Sequence, residues 1–356
     1  MPVANIPNFL TNPRITGYVR SADVPANYLL QRWFPLEGVE ADEFESLVVL
    51  DEVDLAPFVN IDAETPVMQG ELTGIEKWAV AYIRYKARFK ESDLRIFWEP
   101  GVNDPNSLTA QSARAEEAKI TRTVDRLSMS IDARLEWLLA NALNGSIAYD
   151  DSMAKYTVTY AGNWIGTNRK VASPKWDGAS PTIITDLSNW VEDVGTLTGH
   201  ESWAMLTSRS VLGKMARAAD VRELWSVAAR NPAFAAPDSL NPVQSRMIAE
   251  AIGIVGIDEV ITYNAQYTTR TPAAGTGTRT KVNMMNANYI WLLPIGVQLG
   301  RMATAPAKPN NYNTGKFAWS KEREDPWVVE VGAGIYAWPD FPSTSRNWVL
   351  CAHVIS

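Results

Sequence analysis

The chain of 356 residues is 46% hydrophobic and 21% charged, a globular composition long enough for two compact domains or one elaborated fold. Its net charge of -7 argues against a surface that wraps nucleic acid, while leaving proximity without tight binding open. A single cysteine, Cys351, excludes an internal disulfide framework and points to a reducing compartment; the N-terminus has no signal-peptide pattern, and no apolar run reaches the roughly 18 residues of a membrane span.

Residues 1–65 read as an arm that lies on another surface and gains order there. Prolines at 2, 7, 13, 25, 35 and 57 interrupt any long element, and apolar patches such as Trp33-Phe34 stand between turns. Within the arm, Glu37, Glu40, Asp42, Glu43, Glu45, Asp51, Glu52 and Asp54 form an acidic run without a single Lys or Arg.

Trp78 to Lys90 reads as one strand. Arg84, Lys86, Arg88 and Lys90 alternate with Ile83, Tyr85, Ala87 and Phe89, so period two puts the four cations on one face. Glycines at 70, 74 and 101, with Pro100, bound this stretch as a long hairpin-like loop.

A long helix follows, from Ser107 to Asn144. Ile120, Val124, Leu127, Ile131, Leu135, Leu138 and Ala142 step by three and four, which is one helical face. Ser107 suits the N-cap and Gly145 the left-handed residue past the end. At ~1.5 Å per residue such a helix is about 57 Å long, a strut rather than one layer of a compact core.

Beyond it, Lys155–Tyr160 alternates as a strand, and Pro181 opens a helix through Trp190 and Val194. Trp203–Leu206 is a short apolar strand. Ser210–Arg230 is helical, with Val211, Met215, Ala218, Leu224 and Trp225 turned inward. Met247–Ile254 makes another short helix and Glu259–Tyr263 a strand. Thr268–Thr280 is small, polar and glycine-bearing, a flexible loop. Tyr289–Leu293 is a buried-type strand ended by Pro294. Trp327–Val331 and Trp348–Ile355 are β-rich, separated by Gly332-Ala333-Gly334 and a proline-containing turn. The mixture is α+β, with no solenoid repeat.

Enzyme signals are weak. The two histidines are His200, placed in a solvated turn after Gly199, and His353. Cys351 and His353 share a strand face, which permits a nucleophile pair but fits an ordinary closing strand better. No zinc spacing, phosphate loop, HExxH or GxSxG occurs, and Gly275 and Gly277 lie in a threonine-rich segment rather than between strand and helix. No cofactor is implied.

The four-cation face has three readings: phosphate binding, a solvated edge strand guarded by lysines, or docking onto an acidic surface of another subunit. The third is favoured because the chain carries its own acidic counterpart. Arg84, Lys86, Arg88, Lys90, Glu40, Asp42, Glu43, Glu45, Asp51, Glu52 and Trp78 are therefore candidates for contact between copies.

Arm, extended loop, strut helix, mixed domain and closing β segment, in that order, resemble the major capsid proteins of tailed bacteriophages. The chain is most similar to the lambda-type capsid protein E family. The local matches are Leu55–Val59, the strut with Glu136-Trp137, Tyr263–Tyr267 and the closing stretch Asp325–Val354. The resemblance implies a Johnson-type viral capsid fold. Its parts would be an arm (1–65), an extended loop (66–105), a peripheral domain (106–181, with a spine helix over about 107–144, closed by 315–356) and an axial domain (182–314). It also implies an icosahedral virion shell made of hexamers and pentamers, assembled in the host cytoplasm around double-stranded DNA without sequence-specific binding. A separate scaffolding protein, a portal and a decoration protein are the implied partners; no membrane is. Lys77 is the one candidate donor for an inter-subunit cross-link. Competing readings are an encapsulin-like compartment, a Trp-rich carbohydrate-binding protein and a tail component.

Overall fold

The computed structural model describes residues 12–49, 73–90, 110–151, 154–160, 164–223, 253, 255–270, 279–324 and 327–356. The elements that organise the fold are, in chain order, α1 (Asn12–Ser21), β1 (Leu36–Gly38), β2 (Glu43–Val49), β3 (Thr73–Ala79), β4 (Ala81–Lys90) and α2 (Ala110–Leu143). They continue with β5 (Ser146–Asp151), β6 (Ala154–Thr159), β7 (Arg169–Val171), α3 (Ile183–Thr198), β8 (Trp203–Thr207), α4 (Arg209–Met215), β9 (Ile257–Thr262), β10 (Gln266–Arg270) and β11 (Arg279–Asn283). β12 (Tyr289–Pro294), β13 (Arg301–Thr304), β14 (Phe317–Glu324), β15 (Trp327–Asp340) and β16 (Leu350–His353) complete the set.

The spine helix α2 follows the sequence pattern closely. All seven stripe residues, from Ile120 to Ala142, are buried. Gly145 takes φ 89° and closes the end, its N–H reaching the Ala142 carbonyl at 2.8 Å. The proposed Ser107 cap lies outside the described residues. The strut expectation holds for only part of the helix. Between 131 and 143 no side chain is exposed, because the helix packs across β15 and β4 on one side while residues 29–30 press on it from another. That half is a core element.

The first sheet runs β1-β13-β15-β14, with β4 on the opposite edge of β15. Val329, Val331, Ala333, Ile335 and Ala337 face the main core beneath α2. The expected break at Gly332-Ala333-Gly334 does not occur, and β15 runs straight through. A methyl group on Gly332 would lie 2.3 Å from the Trp319 indole, and one on Gly334 3.0 Å from the Phe317 ring. The glycines are strand residues on which two aromatic rings lie, which accounts for a signal that otherwise reads as a turn.

Residues 12–34 are not a loose arm. Ile15, Val19, Leu30, Trp33 and Phe34 belong to the main core. Of the prolines that suggested otherwise, Pro13 lies in the first turn of α1, where a missing N–H costs nothing, and Pro35 directly precedes β1. Helix α1 closes the free edge of β14. Thr16 Oγ1 accepts from the Ala318 N–H and donates to the Ala318 carbonyl, both at 3.1 Å. Asn12 Oδ1 accepts from the Ser320 N–H at 2.9 Å, and Arg20 donates to the Lys316 and Thr314 carbonyls at 2.9 and 3.0 Å. Asn12, Thr16 and Arg20 are four apart, so one helix face meets backbone groups on alternate strand residues.

The second sheet runs β7-β16-β12-β8-β9 and is covered on both faces. Trp203, Met205, Ile290, Leu292, Leu350 and Ala352 face α3 and α4; Ala204, Leu206, Trp291, Leu293 and Cys351 face the main core. Double burial explains why these strands read as continuous apolar runs. The closing strand β16 therefore pairs in this sheet, and β13 in the first, so sheet membership crosses the boundaries expected at 181 and 314. Of the inward residues expected after Ser210, Val211, Met215 and Ala218 are buried. Leu224, Trp225 and most of Met247–Ile254 lie outside the described residues.

Gly300, just before β13, lies between β15 and the N-terminal segment. A methyl group there would stand 2.2 Å from the Asp340 carbonyl oxygen and 3.0 Å from the Phe34 ring. Because backbone must move to admit it, Gly300→Ala is expected to cost about 1–3 kcal/mol. Urea unfolding measures this, and an unchanged midpoint would contradict the packing described.

Candidate assembly surfaces

Strands β2 and β3 form an antiparallel ribbon, with Glu45 opposite Lys77 and Phe44 opposite Trp78. The ribbon thus joins residues assigned from sequence to the arm with residues assigned to the loop. The expected single strand Trp78–Lys90 is broken at Val80, whose N–H turns to the Asp42 carbonyl at 2.9 Å. Register sorts the ribbon's two faces. Glu43, Glu45, Ile75 and Lys77 are exposed, with a Glu45–Lys77 ion pair at 2.9 Å. Phe44 and Ser46 are buried on the other face, where Trp78 lies 5.3 Å, ring to ring, from Tyr160. Trp78 is thus committed to the body of the subunit.

Arg346 fastens the ribbon's base. Its side chain is almost completely buried, donates from Nε to the Phe341 carbonyl at 2.9 Å, and reaches Glu76 Oε2 on β3 at 2.7 Å. The guanidinium also lies over the Tyr160 ring at 5.2 Å.

The cation face of β4 is exposed as expected, but much of its charge is engaged within the subunit. Lys86 and Arg88 reach Glu330 of β15 at 3.1 and 2.7 Å, and Arg323 stands at 3.9 Å from the same carboxylate. Lys86 and Arg88 hold the Glu330 carboxyl below its usual range. Arg84 stacks 4.8 Å over Tyr336. Lys90 is exposed at the strand's end. Of the acidic candidates, Glu40, Asp42, Glu43 and Glu45 are exposed, and Asp42 accepts from the Tyr82 hydroxyl at 2.7 Å. Asp51, Glu52 and Asp54 lie outside the described residues. Within the subunit, Arg84, Lys86 and Arg88 meet Tyr336 and Glu330 rather than Glu40, Asp42, Glu43 or Glu45.

A buried polar junction went unread in the sequence. Glu136 Oε1 accepts from the backbone N–H groups of Leu29 and Leu30 at 3.0 and 3.1 Å and from the Tyr263 hydroxyl at 2.8 Å. Its second oxygen has no partner among the described residues. Burial outweighs the three donors and pushes the carboxyl up to about 7; Tyr263 is raised in turn by burial and by Glu136. One turn earlier, buried Asp132 pairs with Lys316 at 2.5 Å, and burial raises its pKa against the pull of that lysine. The available signal was two carboxylates four apart immediately beside the apolar stripe, at Ile131 and Leu135.

The nucleophile reading of Cys351 fails on geometry. The thiol is buried, accepts from Trp291 Nε1 at 3.2 Å, and is pushed up to about 11 by burial. His353 stacks on Tyr289 instead. His200 is not solvated: it is half-buried, with ring centroids 5.4 and 5.5 Å from Trp203 and Trp348. Every tryptophan whose side chain is described is buried or half-buried, so none of these stands out as an exposed platform. Thr268–Thr280 is also corrected: its two ends are the paired strands β10 and β11, Thr268 opposite Lys281 and Thr269 opposite Thr280. Among the described residues, no three His, Cys, Asp or Glu side chains gather as metal ligands, and no helix is long and apolar enough to cross a membrane.

A long spine helix under a two-edged sheet, a fastened ribbon and a second sheet covered on both faces define a structural subunit of the Johnson capsid class. The chain belongs to the phage major capsid protein E family, whose profile matches residues 12–336. Two solved structures share its fold. One is described as the capsid protein of a prophage of E. coli CFT073, with TM-score 0.56, 15% identity and 95% of this chain and 97% of that chain covered. The other is a phage-related protein of Bordetella bronchiseptica RB50, with TM-score 0.53, 11% identity and 97% of each chain covered. Among curated proteins, none matches. The chain is thus a major capsid protein, a structural component of a phage shell built from copies of itself, as its resemblance from sequence implied.

Proposed function

We propose that this chain tiles the icosahedral head of a tailed phage as hexamers and pentamers enclosing double-stranded DNA, after assembly in the host cytoplasm on a separate scaffolding protein. A portal at one vertex and a decoration protein over the lattice complete the reading. The observation that carries it is the β2–β3 ribbon: rigidly based through Arg346 and Trp78, it leaves Glu43, Glu45, Ile75 and Lys77 uncovered, with Ile75 61% exposed. A held strand pair with an uncovered outer face suits overlap with a neighbouring copy. In this reading β3 and β4 lie within the extended loop at 66–105, and β8, β9 and β12 within the axial domain at 182–314, whose sheet β7 and β16 complete. The family match favours a phage head over an encapsulin-like compartment.

Electron microscopy of the concentrated chain tests the reading, since closed shells or flat hexagonal sheets are expected and small discrete particles alone would end it. Contact between cations and acids of different copies remains part of the proposal, because Lys86 and Arg88 share a single internal carboxylate, Glu330, and Arg84 lies against an aromatic ring. Arg84→Glu with Arg88→Glu is expected to cut the shell yield at physiological salt by about tenfold or more, and reversal of Glu40, Glu43 and Glu45 to Lys to restore it. Unchanged yield in the first variant removes this contact.

A further inference from the structure

The ribbon β10–β11 carries charge that the shell reading does not use. From Val260 to Lys321 the chain contains no Asp or Glu, yet it contains seven cations, in a protein whose net charge is -7. Three of the seven, Arg270, Arg279 and Lys281, fall on this ribbon. Register places Lys281 opposite Thr268 and two residues from Arg279, so Arg279 and Lys281 stand on one face with Gln266 and Asn283. Gln266 Nε2 donates to Asn283 Oδ1 at 2.9 Å, and Thr268, Arg279, Lys281, Gln266 and Asn283 are exposed. The opposite face carries Tyr267, packed on the main core, and half-buried Val282. The polar face therefore points away from the subunit body.

Like charges two apart on one strand face repel, and nothing in the ribbon's own sequence offsets them. Among the described residues, no ion pair engages Arg279 or Lys281. On β4, by contrast, Glu330 meets two cations. A cationic face without an internal anion fits an external one. The neutral groups interleaved with the cations are hydroxyl and amide donors, the set that joins Arg and Lys in holding phosphate oxygens. No aromatic residue lies on this face, so it offers no stacking platform for unpaired bases.

We propose that the outer face of β10–β11 is a contact site for the phosphodiester backbone of double-stranded nucleic acid, independent of sequence. It rests on the reading of a shell that encloses DNA, and it places the contact on one ribbon of an otherwise acidic subunit. About two phosphates per subunit are neutralised, which is weak alone and adds over many copies.

The test uses the unassembled full chain and a random-sequence duplex of about 30 base pairs, with fluorescence anisotropy from about 50 to 200 mM salt. The wild-type affinity is expected to fall with a log–log slope of about -2. Arg279→Glu with Lys281→Glu is expected to weaken binding at least about tenfold and to bring the slope close to zero. Arg122→Glu with Arg126→Glu, exposed on α2, changes net charge equally and is expected to leave binding within about twofold. Equal binding by wild type and the ribbon variant, or no wild-type binding at the lowest salt, overturns the proposal. So does a ribbon variant that binds duplex normally but fails to assemble, which would assign the face to acidic groups of a second copy. Shell formation, scored separately by electron microscopy, reports on the shell reading itself.

Discussion

Glu136→Gln is expected to abolish most of a pH dependence that costs the wild-type subunit about 3 kcal/mol between about pH 5 and about pH 8. The carboxyl titrates at 4.5 when free and at about 7 when folded. Between those values the folded subunit keeps a proton that the unfolded chain has released. The stability linked to that proton is fully present below the lower value and is lost as pH rises to the upper one. Glutamine keeps the oxygen that serves Leu29, Leu30 and Tyr263 and has no charge to desolvate. Its amide nitrogen takes the place of an oxygen without a partner, which limits the net gain at high pH to about 1–2 kcal/mol. Urea unfolding of both proteins across the range measures the difference in slope. Asp132, whose pKa burial also raises, is present in both proteins, so parallel curves would mean that Glu136 is not the group responsible.

Arg346→Met is expected to destabilise the subunit by about 3–5 kcal/mol, the cost of breaking a buried pair from one side. Methionine fills much of the space but leaves the Phe341 carbonyl without its donor and Glu76 without its cation. The partner change, Glu76→Gln, is expected to cost less, because that side chain is 26% exposed and water can replace the lost charge. Cleavage of the folded variant between residues 43 and 79 by a dilute protease should accelerate as well, since the ribbon's base then keeps Phe44 and Trp78 but loses its buried ion pair. A loss under 1 kcal/mol with unchanged cleavage would show that the aromatic contacts, not the guanidinium, fix the ribbon.

How far the sequence reveals this molecule depends on the range of the interactions involved. The spine helix is legible because its stripe repeats within the chain, and each of the seven positions it names is buried. The family resemblance rests on element order and carries the same way. Pairing partners are not local properties. Nothing in the period of Trp78–Lys90 indicates that the ribbon partner is Glu43–Val49, or that the anion beside Lys86 and Arg88 is Glu330, 244 and 242 residues away. Polar core residues fail for a related reason. Glu136 and Arg346 look like surface charges until the backbone donors, the carbonyl and the tyrosines that receive them are known. Gly332 and Gly334 mislead in the opposite sense, since a glycine under an aromatic ring has the same letter as a glycine in a turn.

The helix that closes the edge of β14 has a bearing on how so abundant a protein survives its own synthesis. A capsid subunit is made in many copies at once, and an unprotected strand edge invites pairing with the wrong neighbour. Thr16 and Ala318 are 302 residues apart, and the guarding residue is the one translated first. By the time the vulnerable strand leaves the ribosome, its cover has been waiting for most of the chain's production. The exposed period is then set by local docking rather than by encounter with another nascent chain, so the order of translation itself protects the fold.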